Sequence, residues 1–429
     1  MKNKNTLGTL ILAAGQGKRM KSALPKVLHK VMGRSVLQWV LDAVVLSEKN
    51  VFCVVSKDTR EAIEGYQAAD ARKNIALCLQ EIPRGTADAV KSALPALKKR
   101  NIKTVLIVPG DMPLLRKDTI QKLFQIHVQK RHQFTILTGI VENPSGYGRI
   151  LRDAQGQLRA IVEQKDLQSG QEKIQEINTG VYLFDVELLE RCLSKIGTRN
   201  AQKEFYLTDS VSLIYEEHKN SKLKMGSYCL GYTDECLGVN SRQELAQAIA
   251  KLRSRKLEEL MDNGVTIEDP ASTFIDARVK IGQDTVIHPF TVITGEVTLG
   301  KNCEIGPFTH LHDGVVLDDQ VLVGNFVEIK KSHLGQGAKA KHLSYLGDAT
   351  LGKKVNIGAG TITANYDGKH KHPTVFGEAC RTGSNSVIIA PNTFGDRVVI
   401  GAGSVVPANR NFPSDSLAYG VPAKIVKQG

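Results

Sequence analysis

Two kinds of apolar pattern alternate along the first half of the chain. Short runs rich in Val, Ile and Leu, of the kind that form buried strands, occupy residues 7–14, 51–56, 75–80 and 104–109. Segments with helical spacing of apolar positions lie between them, among them residues 36–46 and 86–97. This alternation predicts a largely parallel, doubly wound (Rossmann-like) α/β sheet that binds ligands at the carboxyl ends of its strands.

From residue 265 to residue 429 the pattern changes, because an aliphatic residue followed by glycine recurs along the chain. The examples are Ile281-Gly282, Leu299-Gly300, Ile305-Gly306, Val323-Gly324, Leu334-Gly335, Leu351-Gly352, Ile357-Gly358 and Ile400-Gly401. This recurrence is typical of hexapeptide repeats, in which the aliphatic side chain stacks inside a coil and a small residue turns the corner. It predicts an all-β, left-handed parallel β-helix with three strands in each coil. We expect the array to break at residues 339–348, where His342 has to point outward.

A connecting helix of residues 241–264 is predicted between the two halves. Ser241 and Glu244 have the spacing of a capping box, and Asn263-Gly264 is a stop signal. The apolar stripe of this helix consists of Leu245, Ile249, Leu252 and Leu260. The expected organisation is therefore a first domain of residues 1–240, the helix, and a second domain of residues 265–429.

The composition narrows the class of protein. An apolar content of 41% and a charged content of 24% are ordinary for a globular chain, and the net charge of +13 suits anionic substrates. The basic residues are scattered without interleaved aromatic residues, so no nucleic-acid partner is expected. Seven dispersed cysteines without a Cys-x-x-Cys pair favour free thiols in a reducing cytoplasm and argue against a zinc site. No apolar segment predicts a signal peptide or a membrane span.

The loop after the first predicted strand carries the clearest chemical signal. Two glycines are followed by two cations in Leu12-Ala13-Ala14-Gly15-Gln16-Gly17-Lys18-Arg19-Met20, and Pro25-Lys26 comes after them. Glycines let backbone N–H groups approach a ligand, and Arg19 and Lys26 add positive charge, as the binding of a nucleoside triphosphate requires. The P-loop pattern does not fit, because it needs Gly-Lys-Ser/Thr after a longer spacer and this segment has Gly17-Lys18-Arg19. The dinucleotide-binding pattern needs a third glycine where Lys18, Arg19 and Met20 stand.

This loop, with its Arg-Met and Pro-Lys pairs, resembles that of the sugar-nucleotidyltransferases. Further segments match that pattern in the same order, namely Gly110-Asp111-Met112-Pro113-Leu114, Gly146-Tyr147-Gly148-Arg149-Ile150, Ile161-Val162-Glu163, Glu176-Ile177-Asn178-Thr179-Gly180 and Gly238-Val239-Asn240. Joined to a hexapeptide half, they make the chain resemble the bifunctional UDP-N-acetylglucosamine pyrophosphorylase/glucosamine-1-phosphate N-acetyltransferase family. The resemblance implies a magnesium-dependent transferase of bacterial cell-wall (peptidoglycan) synthesis, and a homotrimer.

The resemblance also assigns roles in the first half, where UTP and N-acetylglucosamine 1-phosphate give UDP-N-acetylglucosamine and pyrophosphate. Mg²⁺ would be held by Asp111 and Asn240, and Arg19 and Lys26 would be catalytic. The residues implied to bind UTP or UDP-N-acetylglucosamine are Leu12, Ala13, Gly15, Lys26, Gln80, Gly85, Thr86, Gly148, Glu163, Asn178 and Asn240. Among these, Gln80 and the Gly85-Thr86 pair would contact uracil, and Gly148, Glu163 and Asn178 the acetylated sugar.

In the second half the resemblance implies transfer of an acetyl group from acetyl-CoA to glucosamine 1-phosphate. His342 would be the base that takes a proton from the amine. Glucosamine 1-phosphate would be held by Lys330, Tyr345, Asn356 and Lys371, and the co-substrate acetyl-CoA would contact Asn365, Tyr366, Ser384 and Ala402.

The chain departs from this pattern in the second half. His312 and Gly420 stand where the family carries arginines, and the array is expected to lack a coil or more before Leu299. A uridylyltransferase with the β-helix as trimerisation scaffold therefore stays open as an alternative. So do a non-catalytic regulatory subunit, against which Arg19, Lys26 and Asp111 argue, and another nucleotide or sugar as substrate.

Overall fold

The computed structural model describes residues 6–15, 17–44, 50–69 and 75–428. Gln16 of the predicted loop and residues 45–46 of the first predicted helix lie outside the described residues. The chain divides into two compact units, Met1–Ala248 and Ile249–Gly429, so that the division falls inside one helix. No described helix has both the length and the apolar character needed to cross a membrane.

Strands and helices alternate along the first unit. Its strands are β1 (Leu7–Leu12), β2 (Lys30–Val31), β3 (Arg34–Ser35), β4 (Val51–Val55), β5 (Ile75–Leu79), β6 (Thr104–Pro109), β7 (Phe134–Ile140), β8 (Arg149–Arg152), β9 (Leu158–Val162), β10 (Glu176–Asp185) and β11 (Met225–Tyr232). The helices are α1 (Val36–Val44), α2 (Lys57–Ala69), α3 (Thr86–Lys99), α4 (Lys117–Gln129), α5 (Val186–Lys195), α6 (Asp209–Lys219) and α7 (Arg242–Asp262), the last shared by both units.

The main sheet of this unit has the order β11-β7-β10-β6-β1-β4-β5. Parallel pairing joins β6, β1, β4 and β5, as the alternating pattern predicts. Strand β10 is antiparallel to both β6 and β7, so the complete sheet is mixed. Leu10 packs in one core cluster and Ile11 in another on the opposite face, which confirms the doubly wound arrangement.

Helix α7 begins with half of the predicted capping box. The Ser241 hydroxyl accepts a hydrogen bond from the Glu244 N–H at 3.2 Å. The Glu244 carboxylate, however, accepts from the N–H of Asn240 at 2.6 Å, one residue before the expected partner. Of the predicted stripe, Leu245, Leu252 and Leu260 are buried and Ile249 is half-buried.

Three-stranded coils stack along the second unit. Their strands are β12 (Thr266–Ile267), β13 (Phe274–Ile275), β14 (Lys280–Ile281), β15 (Val286–Ile287), β16 (Val292–Ile293), β17 (Thr298–Leu299), β18 (Glu304–Ile305), β19 (His310–Leu311), β20 (Val316–Leu317), β21 (Leu322–Asn325), β22 (Glu328–Lys330), β23 (His333–Leu334), β24 (Lys339–His342), β25 (Tyr345–Gly347), β26 (Ala349–Leu351), β27 (Asn356–Ile357), β28 (Ile362–Ala364), β29 (Thr374–Phe376), β30 (Arg381–Thr382), β31 (Val387–Ile389), β32 (Asn392–Phe394), β33 (Val399–Ile400), β34 (Val405–Val406), β35 (Arg410–Phe412), β36 (Leu417–Gly420) and β37 (Ala423–Lys427).

Every third strand pairs in parallel, which produces three sheets around one apolar interior. Ile287, Ile305 and Val323 occupy equivalent positions on successive coils and point into that interior. Strand β37 pairs antiparallel with β36 and is the final strand of the sheet that begins with β12. These features confirm the prediction of a hexapeptide β-helix.

The interruption of the array lies elsewhere than expected. Residues 339–348 stay within the sheets, because β24 pairs with β21 and β25 pairs with β22 in regular register. The expected break there was wrong. The interruption is the loop of residues 365–373, which lies between β28 and β29 and lengthens one coil. Asp367 holds this loop by accepting hydrogen bonds from the N–H groups of Lys369 and His370.

Neighbouring residues of β31 provide a matched test of the interior. Ile388 is fully buried whereas Ile389 is 39% exposed on the outer face. Ile388→Ala removes buried methyl groups and leaves a cavity, so we expect it to lower the free energy of unfolding by about 2–5 kcal/mol. Ile389→Ala is expected to change it by less than about 1 kcal/mol. Urea denaturation followed by circular dichroism at the β-sheet band measures both; equal losses would contradict the inward packing of Ile388.

Candidate active sites

The loop after β1 is fixed by backbone contacts at its start. The carbonyl oxygen of Leu12 accepts from the N–H of Gly110 at 2.9 Å, and the N–H of Ala13 donates to Val54 at 2.9 Å. Gly15 is exposed, and a Cβ atom there would meet nothing within 4 Å. Gly17 has a φ of +60°, and a Cβ atom there would lie 2.8 Å from the Cβ of Lys26. The close approach of loop and lysine therefore needs glycine at position 17.

Three distant parts of the chain meet at the Lys26 ammonium. Its Nζ donates to Oδ2 of Asp111 at 2.5 Å and to Oδ1 of Asn240 at 2.8 Å. Lys26 comes from the turn after β1, Asp111 follows β6 and Asn240 precedes α7. The N–H of Val239 also donates to the Asp111 carbonyl at 2.8 Å, which joins the last two segments. The structure thus brings together both predicted metal ligands and one of the two predicted catalytic cations.

Arg19 is not part of this cluster. It lies in the 3₁₀ turn Lys18–Met20 and is exposed. Its guanidinium makes no hydrogen bond or ion pair with any residue that the structure describes.

Gln80 lies at the carboxyl end of β5 and is 4% exposed. Its amide nitrogen donates to Asp88 at 2.9 Å and to the carbonyl of Gly85 at 3.3 Å. Asp88 is also bound by Arg84 at 2.7 Å. Because the protein uses the amide nitrogen, the amide oxygen is the group of Gln80 that is left to accept from a ligand.

The predicted Gly85-Thr86 pair is locked against a second segment. Gly85 has a φ of +117°, and a Cβ atom there would lie 2.5 Å from the carbonyl oxygen of Phe205. The Thr86 hydroxyl accepts from the N–H of Leu207 at 2.9 Å. The start of α3 therefore depends on glycine at position 85.

The three predicted sugar-binding residues lie close together. The N–H of Asn178 donates to the Gly148 carbonyl at 2.9 Å. A Cβ atom on Gly148 would lie 3.4 Å from Oε2 of Glu163. The Asn178 side-chain oxygen accepts from the Gly180 N–H at 2.9 Å and from the Tyr182 hydroxyl at 3.0 Å.

Two residues of this cluster were missed by sequence reasoning. The Thr208 hydroxyl donates to Glu163 at 3.1 Å, and the buried hydroxyl of Tyr206 has no partner among the described residues. Burial raises the pKa of Glu163, and the charges of Asp209 and Asp166 raise it further. Burial raises the pKa of Tyr206 to about 12, together with the negative charges of Asp166, Glu163, Glu204 and Asp209. Thr208 and Tyr206 belong to no local motif, so only the fold identifies them.

Two arginines that were given no role hold the loops of the first unit. Arg242 donates to the carbonyl of Met20 at 3.3 Å and lies 3.1 Å from Nδ1 of His29, on either side of the Lys26 turn. Arg149 is buried and donates to the Tyr147 carbonyl and to the Gln164 side-chain oxygen.

His342 ends β24 and is exposed, as its place in the array requires. Its imidazole has no hydrogen-bond partner in the described part of the chain. Continuing the strand register from β24 through β27, β30, β33 and β36 places one residue of each coil at the same corner, namely His342, Ala359, Ser384, Ala402 and Gly420. Small side chains thus follow His342 along this corner, and two of them are predicted acetyl-CoA contacts.

Other predicted residues of this half lie on the neighbouring sheet and on the loop. Burial raises the pKa of the Tyr345 hydroxyl, which is hydrogen-bonded to the side chain of Asn365. Lys330 lies next to Gly347 in the strand pairing, two residues from Tyr345. Tyr366 and Lys371 pair across the loop of residues 365–373. Asn356 is exposed on β27, which belongs to a different sheet from the strands of Lys330 and Tyr345.

His312 occupies a corner close to this group. Its Nε2 lies 2.8 Å from Glu328, and its ring centre lies 3.6 Å from that of His310. The N–H of His312 donates to the carbonyl of Ile329, so His312 is one coil away from Lys330. An imidazole paired with a carboxylate therefore stands beside Lys330.

Comparison with known proteins agrees with this architecture. Residues 8–228 match the nucleotidyl transferase family, and residues 278–311 match the bacterial transferase hexapeptide (six repeats) family. The chain is 41% identical to the bifunctional protein GlmU of Syntrophomonas wolfei, with 96% of this chain and 97% of the relative covered. It is 40% identical to GlmU of Trichlorobacter lovleyi, with 98% and 97% covered. The chain belongs to the GlmU family.

Membership of the GlmU family confirms the resemblance drawn from the sequence motifs. The transferase assignment, with a nucleotidyltransferase module and a hexapeptide module, is confirmed as well. The alignment to the Trichlorobacter lovleyi protein spans 454 positions, whereas this chain has 429 residues, so the relative carries residues that this chain lacks. That they belong to a coil before Leu299 stays a prediction.

The raised pKa of Glu163 makes a pH-dependent prediction. Between the pKa of Glu163 in the unfolded chain and its higher pKa in the folded protein, only the folded protein keeps the proton on this carboxyl. The free energy of unfolding therefore falls as pH rises through that range. Glu163→Gln keeps an acceptor for Thr208 and removes the buried charge. We expect the melting temperature to rise by a few degrees at about pH 7, with a smaller gain toward about pH 4.

Scanning calorimetry across that pH range measures this difference. Glu142→Gln is the matched control, because Glu142 is exposed and its substitution should leave the melting temperature unchanged at every pH. A gain in Glu163→Gln that did not change with pH would contradict the prediction.

Proposed function

We propose that this chain makes UDP-N-acetylglucosamine in two steps. Residues 265–429 transfer an acetyl group from acetyl-CoA to glucosamine 1-phosphate. Residues 1–240, joined to them by the helix of residues 241–264, then transfer uridylyl from UTP to the product and release pyrophosphate. The observation that carries the proposal most is the convergence of Lys26, Asp111 and Asn240 at the carboxyl edge of the parallel strands.

Asp111 and Asn240 fit a magnesium ion. Their side-chain oxygens are directed at one cation, the Lys26 ammonium, and hard oxygen ligands are those that Mg²⁺ prefers. A bound Mg²⁺ would neutralise negative charge on the phosphates. The attacking oxygen of N-acetylglucosamine 1-phosphate is already an anion, so this half needs no general base. Its task is to position the two phosphates and to stabilise the charge on pyrophosphate.

The remaining residues of this half select nucleotide and sugar. The amide oxygen of Gln80 can accept the N–H of uracil, because its amide nitrogen already donates to Asp88. We expect the backbone at Leu12, Ala13 and Gly15 to face the nucleotide and the exposed side chain of Arg19 to contact its phosphates. Gly148, Glu163 and Asn178 form hydrogen bonds with the acetylated sugar. Thr208, which contacts Glu163, belongs to the same group.

In the β-helix His342 takes a proton from the attacking amine. The amine nitrogen bonds to the thioester carbonyl carbon and the carbon–sulfur bond breaks. The proton taken up by the imidazole then passes to the leaving thiolate and gives the free thiol of coenzyme A. The corner of small residues from Ala359 to Gly420 leaves room for an extended acyl-CoA arm. Lys330, Tyr345, Asn356 and Lys371 bind glucosamine 1-phosphate. Acetyl-CoA is contacted by Asn365, Tyr366, Ser384 and Ala402.

We propose a homotrimer in the cytoplasm. Phe290, Phe308 and Phe326 stack on one exposed corner, with ring centres 4.8 Å and 5.3 Å apart, and an apolar ladder of this kind favours burial against another copy. All seven cysteines are free thiols, as expected in a reducing compartment that supplies UTP and acetyl-CoA.

The competing function is uridylyl transfer alone, with the β-helix as scaffold. His312 and Gly420 favour it, because an imidazole and a glycine replace two arginines of the family pattern. Lys330, which lies beside His312, keeps a cation for the proposed sugar phosphate, and this favours the bifunctional enzyme.

Asp111→Ala tests the uridylyl transfer. The variant loses the carboxylate that would bind the proposed metal ion, so we expect pyrophosphate release from UTP and N-acetylglucosamine 1-phosphate to fall by more than about a hundredfold. Acetyl transfer in the same variant should be unchanged. Asp118→Ala, at an exposed aspartate of α4, is the control. Full turnover in Asp111→Ala would disprove the assignment.

His342→Ala tests the acetyl transfer. Free thiol released from acetyl-CoA in the presence of glucosamine 1-phosphate is the measurement, and loss of the base should lower it by about a hundredfold or more. His333→Ala removes another exposed histidine of the β-helix and should have no effect. If the wild-type protein releases no thiol but forms pyrophosphate, the scaffold alternative is correct.

A further inference from the structure

The Lys26 ammonium lies where a metal ion would be expected. It contacts Oδ2 of Asp111 at 2.5 Å and Oδ1 of Asn240 at 2.8 Å, the same oxygens that we propose as metal ligands. A carboxylate and an amide oxygen that bind one ammonium cannot both bind a divalent ion at the same time without a rearrangement. The lysine and the metal ion therefore compete for these atoms.

The position of Lys26 is built into the fold. Its side chain is 12% exposed and that of Asp111 is 18% exposed. Gly17 leaves the space that the Cβ of Lys26 occupies, since a Cβ atom at position 17 would lie only 2.8 Å away, and Val27 and Leu28, which follow in the same turn, are buried. Such restraints keep the ammonium at the pair of oxygens when no other anion attracts it.

The local charges also oppose a metal ion that arrives alone. The Lys26 ammonium neutralises the carboxylate of Asp111, which is the charged ligand of the proposed metal site. A divalent cation would then face an ammonium at short range with little net negative charge to bind it. A nucleoside triphosphate changes this balance, since its anionic oxygens attract both the ammonium and the metal ion.

We propose that Lys26 is a resident cation that keeps divalent metal ions from Asp111 and Asn240 until a nucleotide draws its ammonium away. Nucleotide and metal ion are then bound jointly, and the metal ion alone binds weakly. In this way one lysine has two positions: on the ligand oxygens before the nucleotide arrives, and on the phosphates afterwards. The inference rests on the proposed metal site at Asp111 and Asn240.

Binding of Mn²⁺ without nucleotide tests the proposal. The free Mn²⁺ signal in electron paramagnetic resonance gives the Kd for the wild-type protein and for variants at one pH. We expect Lys26→Met to bind Mn²⁺ at least about tenfold more tightly than the wild-type protein, because the competing charge is removed. Lys26→Gln should also bind more tightly, and it provides a second variant if Lys26→Met folds poorly. Lys26→Arg keeps the charge and should bind as weakly as the wild-type protein.

The controls separate this inference from the metal site on which it depends. Lys30→Met removes one exposed lysine and the same net charge, and should leave the Kd unchanged. Adding Asp111→Ala to Lys26→Met should abolish the gained binding.

Two results would overturn the proposal in different ways. If Lys26→Met and Lys26→Gln bind no more tightly than the wild-type protein, and Asp111→Ala still removes that binding, the metal site is correct and the competition is wrong. If no variant binds Mn²⁺ at Asp111, even with UTP present, the metal site itself is wrong.

Discussion

The ion pair between Lys26 and Asp111, extended to Asn240, connects the segments from which the first site is built. Lys26 follows β1, Asp111 follows β6 and Asn240 comes directly before α7, so one ammonium ties three separate stretches of chain to the carboxyl edge of the sheet. Arg242 and Glu244 strengthen this arrangement from the first turn of α7. Before a substrate arrives, these contacts therefore hold the loop after β1, Asp111 and Asn240 close together.

A different constraint governs the second unit. Parallel coils stack in a fixed register, so a side chain on one coil has an equivalent neighbour on the next. The interior is filled by aliphatic and small residues and by a stack of three phenylalanines, Phe376, Phe394 and Phe412, whereas the outer corners can carry polar side chains. His342 stands at one such corner with Ala359, Ser384 and Ala402 behind it, which leaves a continuous strip of low side-chain volume beside an exposed imidazole.

The local signals of the chain predicted both architectures. The apolar runs at β1, β4 and β6 are buried on both faces, because strands covered by helices on both sides need no polar alternation. The run at β5 forms the half-buried edge of the same parallel set. The antiparallel insertion of β10 could not be foreseen, since strand direction depends on chain connections beyond the local pattern. The positions of Thr208 and Tyr206 beside Glu163 could not be predicted from the sequence for a related reason. They lie far along the chain from Glu163, and a lone hydroxyl residue carries no periodic signal.

By itself, the sequence determined which residue types could do chemistry: the glycines and cations after β1, Asp111 after β6, and His342 among small residues. These features are local, because turn geometry, strand burial and repeat spacing depend on neighbouring residues. Only the tertiary structure decided that Lys26 binds the proposed metal ligands, that Arg19 remains exposed, and that β28 is followed by the interrupting loop. These outcomes depend on distances between segments far apart in the chain, and such distances are set by how sheets and coils pack rather than by any local pattern.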